Sequence, residues 1–125
     1  MIILGLNVGV YVKRNILILR LKGDLDEASV SDLRQRISKY IDDYHIMHLI
    51  INMQALDFMD SSGIGFIIGR FHQLKKNRGE VNLCGLSSKM EKIISISGLS
   101  KICLIRESEQ AILLSLGEKI NEKWN

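Results

Sequence analysis

The 125-residue chain has no proline, no internal repeat and no low-complexity segment. Nothing in it marks a linker, and residues 1–125 fit a single domain, large enough to bury its own core. Its longest apolar runs, such as Ile2-Ile3-Leu4 and Ile102 to Ile105, are far too short to span a bilayer. No basic flank followed by a sustained apolar stretch opens the chain, so no secretion signal is read and a cytoplasmic location is expected. Aromatic residues make up only 6% and the net charge is +3, with one short basic cluster at Lys75-Lys76-Asn77-Arg78. That gives neither a stacking platform nor a basic stripe, which argues against nucleic-acid binding. The cluster suits the carbonyl end of a helix instead. The two cysteines, Cys84 and Cys103, lie in apolar surroundings without CxxC spacing or paired histidines. They read as buried free thiols.

The remainder is ordinary soluble composition, 46% hydrophobic and 25% charged. Val8, Val10 and Val12 alternate, Lys13-Arg14-Asn15 turns the chain, and Ile16 to Leu21 continues as a second strand. Gly23-Asp24-Leu25-Asp26 breaks that pattern and leads into a helix. Its apolar stripe is Val30, Leu33, Ile37, Tyr40, Ile41 and Tyr44. Met47 to Met53, MHLIINM, suits a central strand buried on both faces. A turn over Asp57 to Ser62 precedes a second helix with Ile64, Ile67, Ile68, Phe71 and Leu74 inward and Gly79 as its stop. Val81 to Leu86 is a strand, and Ser87 and Ser88 open a short helix that ends at Gly98. Ile102 to Ile105 is the last strand, and Ser108 caps a final helix burying Ala111, Ile112, Leu116 and Ile120. The order ββαβαβαβα implies an α/β fold: a mixed sheet of four to five strands, largely parallel with an antiparallel opening hairpin, and about four helices.

One stretch resists a purely structural reading. Residues 58–70, FMDSSGIGFIIGR, place Gly63, Gly65 and Gly69 inside a helix. Each glycine there costs about 0.8–1 kcal/mol relative to alanine. Asp60 or Ser61 makes a good N-cap, which accounts for the polar residues but not for the glycines. A nucleophilic serine needs a base within hydrogen-bond reach. His72 lies eleven residues beyond Ser61 on the same helix, about 16 Å away, while His45 and His48 sit at the far end of the preceding strand. The first glycine of a nucleophile elbow is missing, and so are the dinucleotide fingerprint spacing and a Walker lysine. Asp24, Asp26, Asp57 and Asp60 share one edge of the sheet, yet loop aspartates of this kind are usually caps and turns rather than metal ligands. A helix start free of side chains lets another surface approach closely, and its N–H groups suit an anion. The stretch therefore reads as a site acted upon by another protein, with no catalytic role, metal or cofactor.

FMDSSGIGFIIGR closely resembles the signature of the anti-sigma factor antagonists, small bacterial STAS-domain proteins, and is most similar to that of the sporulation branch acting on sigma factor F. Gly23-Asp24-Leu25-Asp26 resembles the family's G-x-L-D turn, and Ile96-Ser97-Gly98-Leu99 its late S-G-L element. The resemblance implies a STAS fold and a partner switch. The unmodified form would bind an anti-sigma factor that is also an ATP-dependent serine kinase, freeing the sigma factor. That kinase would phosphorylate Ser61, and a serine phosphatase would restore the binding form. Asp26 would contact the kinase, with Gly23, Asp60, Ser62, Gly63, Ile64 and Gly65 around the acceptor. Two other readings stay open: a general-stress or other sigma pathway, and a STAS adaptor of a transport complex that binds without phosphorylation.

Overall fold

A computed structural model describes residues 1–118. The chain runs β1 (Ile2–Ile3), β2 (Leu6–Lys13), β3 (Ile16–Leu25), α1 (Glu27–Asp43), β4 (His48–Met59), α2 (Ser61–Lys75), β5 (Glu80–Cys84), α3 (Ser88–Ile96), a 3₁₀ turn at Leu99–Lys101, β6 (Leu104–Arg106) and α4 (Glu109–Ser115). The expected order is present, preceded by the short strand β1. The sheet therefore has six strands rather than four to five, in spatial order β1-β2-β3-β4-β5-β6. β1, β2 and β3 pair antiparallel, and β3 to β6 pair parallel.

Alternation along β3 and β4 assigns the two faces. Leu17, Leu19, Leu21, Leu49 and Ile51 join Val30, Leu33, Ile37, Phe66, Ile67, Leu74, Met90 and Ile94 in the main core, under α1, α2 and α3. Ile16, Ile18, Ile50 and Cys84 face the other way and are covered by Ile112 and Leu113 of α4. Tyr44, placed on the α1 stripe, is half exposed and ends that helix. On α2 the deeply buried residues are Gly63, Phe66, Ile67, Arg70 and Leu74. Ile64, Ile68 and Phe71 are only partly buried, so the inward face is rotated from the expected one. Ile120 of the expected last helix lies outside the described residues, as does Trp124.

Two expected turns are strand instead. β3 continues through Gly23, Asp24 and Leu25, and β4 through Asp57, Phe58 and Met59. Their pairing slips twice, between Arg20 and Lys22 and between Gly23 and Asp24. Buried residues of β4 consequently fall at Met53, Leu56 and Met59, a spacing of three that hides a strand from a period-two reading. β5 pairs with β4 only from His48 to Asn52 and β2 pairs with β3 only as far as Gly23, so β3 and β4 project beyond β5 and end as a two-stranded ribbon at Asp24-Leu25 and Phe58-Met59. Smaller shifts affect the edge, where the last strand is Leu104–Arg106 and Leu86 falls outside β5. α2 ends at Lys75, four residues before Gly79, and Arg78 takes the left-handed conformation instead.

Candidate functional site

The ribbon delivers two helix starts side by side. Leu25 of β3 pairs with Met59 of β4, and one aspartate follows each strand before its helix begins. Asp26 is the N-cap of α1. Its Oδ1 accepts from the Ser29 amide at 3.2 Å, while the Ser29 hydroxyl accepts from the Asp26 amide at 3.1 Å, a reciprocal capping box. Asp60 is the N-cap of α2. Its Oδ1 accepts from the amides of Ser62 at 2.8 Å and Gly63 at 3.2 Å. Its Oδ2 accepts from the Glu27 amide at 3.3 Å, so one carboxylate ties the starts of both helices together. Both aspartates are thus committed to orphan helix donors. The four aspartates lie at the carboxyl ends of β3 and β4 as expected, and among the described residues no group of three or more His, Cys, Asp or Glu is placed to hold a metal.

Ser61 is the first residue of α2 and is exposed. Its hydroxyl makes no hydrogen bond among the described residues, whereas Asp60 beside it is turned inward. His72 lies on the same helix, three residues from its end, and His48 pairs with Glu80 at 2.8 Å at the opposite end of β4. Neither histidine is brought to Ser61.

The glycines divide into two kinds. A Cβ on Gly63 would stand 2.5 Å from Met59 Cγ and 2.7 Å from the Leu25 carbonyl oxygen. Gly63 therefore lets α2 seat against the ribbon. The chain's own packing already requires a glycine there, a reason that the sequence reading did not contain. Gly65 is exposed and Gly69 half-buried, and a Cβ at either would meet nothing within 4 Å. Gly23 is structural as well: its φ is +108°, and a Cβ would collide with the Gly5 carbonyl oxygen of the strand connection alongside. Ile64 is half-buried against the core, and Ser62 is half-buried with its amide held by Asp60.

Phe58 and Lys89 were not singled out in the sequence. Phe58, at the end of β4, is 43% exposed, and the Lys89 ammonium of α3 lies 6.0 Å from its ring centroid. Phe58 stands two residues before Asp60 in the motif, and reading Asp57 to Ser62 as a turn obscured its place on the strand. Ile96, at the end of α3, is 87% exposed.

The architecture is a single mixed α/β domain that presents a capped helix tip whose serine hydroxyl is unbonded among the described residues. The STAS domain family model matches residues 7–112, and the chain belongs to the anti-sigma factor antagonist (STAS domain) family. It is 33% identical to the anti-sigma F factor antagonist of Paenibacillus polymyxa over 82% of this chain and 88% of that one. Its identity to the protein of the same description from Lysinibacillus sphaericus is 37%, over 81% and 86%. Among solved structures it is similar to the anti-sigma factor antagonist SpoIIAA in its unphosphorylated form, at 32% identity and TM-score 0.78 over 93% of this chain and 99% of that one. SpoIIAA of Bacillus in its phosphorylated form gives 34% identity and TM-score 0.68, over 86% and 96%. No helix among the described residues is long and apolar enough to cross a membrane.

Proposed function

We propose that this chain is an anti-sigma factor antagonist of a sigma F pathway, acting in the cytoplasm by binding and not by catalysis. Its unmodified form holds an anti-sigma factor and so releases the sigma factor. The anti-sigma factor, as a serine kinase, ends that state by phosphorylating Ser61, and a serine phosphatase restores it. Carrying the reading is the Ser61 hydroxyl, exposed and unbonded at the tip of α2, with the open position Gly65 one turn further on. The similar protein's existence in unphosphorylated and phosphorylated forms supports it.

The physics of the switch is local. A phosphate adds about −1.5 to −2 charge and three acceptor oxygens. Within the chain, the amide end of α2 offsets part of its repulsion from Asp60. A partner seated over Gly65 has no such compensation and meets bulk and charge where it had met an open surface. Incubation with the cognate anti-sigma factor and ATP, followed by mass spectrometry, is expected to place one phosphate on Ser61. Ser61→Ala should bind the anti-sigma factor and accept no phosphate, and Ser61→Asp should bind poorly. A chain that binds but is never phosphorylated would instead be a STAS adaptor. Equal binding by wild type and Ser61→Asp would sink the charge mechanism.

A further inference from the structure

β1 and β2 are joined by a turn that the fold holds in place but whose leucine it does not use. Their pairing ends at Ile3 with Leu6, which leaves the two-residue loop Leu4-Gly5. Gly5, at φ +82°, supplies the left-handed position of the turn. Its carbonyl oxygen accepts from the Asp24 amide at 3.0 Å, and Gly23 is bare where that carbonyl passes, since a Cβ there would strike it. The loop is therefore fixed against the end of β3, two residues before the Asp26 cap. Leu4 takes no part in this fastening. It is 75% exposed, in a turn, where Gly, Pro, Asn, Asp and Ser predominate. It also precedes residues 7–112, which the STAS family model matches, so the family pattern does not account for it.

Backbone pairing sets a row of residues across this end of the sheet. Gly5 meets Asp24, and Asp24 lies opposite Phe58 of β4, which is 43% exposed. Leu25 and Met59 follow, then the caps Asp26 and Asp60 and the Ser61 tip. In the row between Leu4 and Phe58, the Asp24 carboxylate is half-buried and makes no hydrogen bond or ion pair among the described residues. An unpaired carboxylate flanked by apolar residues suits a cation that arrives with apolar surface around it. We infer that Leu4 is a specificity contact for the anti-sigma factor: the partner that reaches Ser61 also covers the β1–β2 turn, setting apolar side chains on Leu4 and Phe58 and a basic one at Asp24. This rests on the binding role proposed above and adds to it an edge of the interface supplied by residues ahead of the matched domain. A fastened turn suits the task, because its leucine is ordered before the partner arrives and little conformational entropy is lost on contact.

The test is calorimetric titration of the intact chain with its cognate anti-sigma factor, with urea denaturation of each variant alongside. Leu4→Ser should bind about tenfold more weakly, the worth of a leucine side chain left in water, at an unchanged urea midpoint. Asp24→Lys should weaken binding at least as much, because it sets like charges together. Tyr44→Ser alters an exposed residue at the other end of α1, about 25 Å away at 1.5 Å per residue, and should bind as wild type does. Phosphorylation of Ser61 gives a second readout. For Leu4→Ser the half-saturating concentration of the chain should rise about tenfold, while the rate at saturation stays that of wild type. Equal affinity of Leu4→Ser and wild type, or an equal loss in Tyr44→Ser, overturns the inference and leaves the binding role standing. A wild-type chain that binds no anti-sigma factor overturns both.

Discussion

At the scale of single residues, Gly63 and Gly65 have opposite environments although they stand two apart in one motif. Gly63→Ala forces a methyl against Met59 and the Leu25 carbonyl, and overpacking of this kind costs about 1–3 kcal/mol. Gly65→Ala meets nothing and removes a helix-interior glycine, a gain of about 0.5–1 kcal/mol. Urea denaturation of the two variants should therefore move the midpoint in opposite directions. In a pull-down, Gly65→Ala should nevertheless bind the anti-sigma factor less well than wild type, since its methyl stands one turn from Ser61 on the open face. A more stable Gly65→Ala with undiminished binding would remove Gly65 from the interface. Asp60 adds a second residue-level expectation. Its carboxylate serves three amides on two helices, so Asp60→Ala should cost about 2 kcal/mol, the upper end for a lost N-cap.

At the scale of elements, α4 is held to the sheet by a polar clamp as well as by Ile112 and Leu113. Glu109 takes two hydrogen bonds from the Arg20 guanidinium, at 2.8 and 2.9 Å, and one from the Asn52 amide at 2.6 Å. The ion pair is largely shielded, with Glu109 10% and Arg20 28% exposed. Removing the carboxylate strands both donors, at about 1–3 kcal/mol. Glu109→Ala should speed amide exchange across Glu109–Ser115 and leave β3 and β4 protected; uniform loss of protection would mean that α4 is part of the global unfolding unit. That α4 exists was legible from Ser108 and the apolar residues after it, but the clamp was not, because Arg20, Asn52 and Glu109 are far apart in sequence. The same division runs through the rest of the fold. Regular periodicities disclosed the ββαβαβαβα order, and the D-S-S-G stretch disclosed the helix tip. The register slips between β3 and β4 concealed the projecting ribbon, and with it the pairing of Asp26 and Asp60 as twin caps. The burial of Arg70 was not legible either, because it depends on α1 packing alongside α2.

At the scale of the whole molecule, the two thiols report on the two sides of the sheet. Cys103 sits in the core under α1, α2 and α3, and Cys84 in the layer beneath α4. Burial pushes both up from 9.0 to about 12, with Glu109 adding to the effect at Cys84. The folded chain therefore keeps protons that the unfolded chain gives up above about pH 9, so the unfolded state gains stability as pH rises. The thiol contribution to stability should be whole below pH 9 and decline between 9 and 12. At pH 8 neither thiol should react with a disulfide reagent faster than the chain opens, because the reactive species is the thiolate. This separates two accounts of the proposed switch. If a charge at Ser61 acts only on the surface a partner meets, Ser61→Asp and wild type will protect Cys84 and Cys103 equally while differing in anti-sigma factor binding. If the charge instead loosens α2, Cys103, which shares its core, will become reactive first; if it releases α4, Cys84 will. Asp60 is already satisfied by three amides, and the exposed Ser61 hydroxyl has no hydrogen bond among the described residues to lose. Equal protection is the expected result, and earlier labelling of either thiol in Ser61→Asp would show that the switch works through the fold.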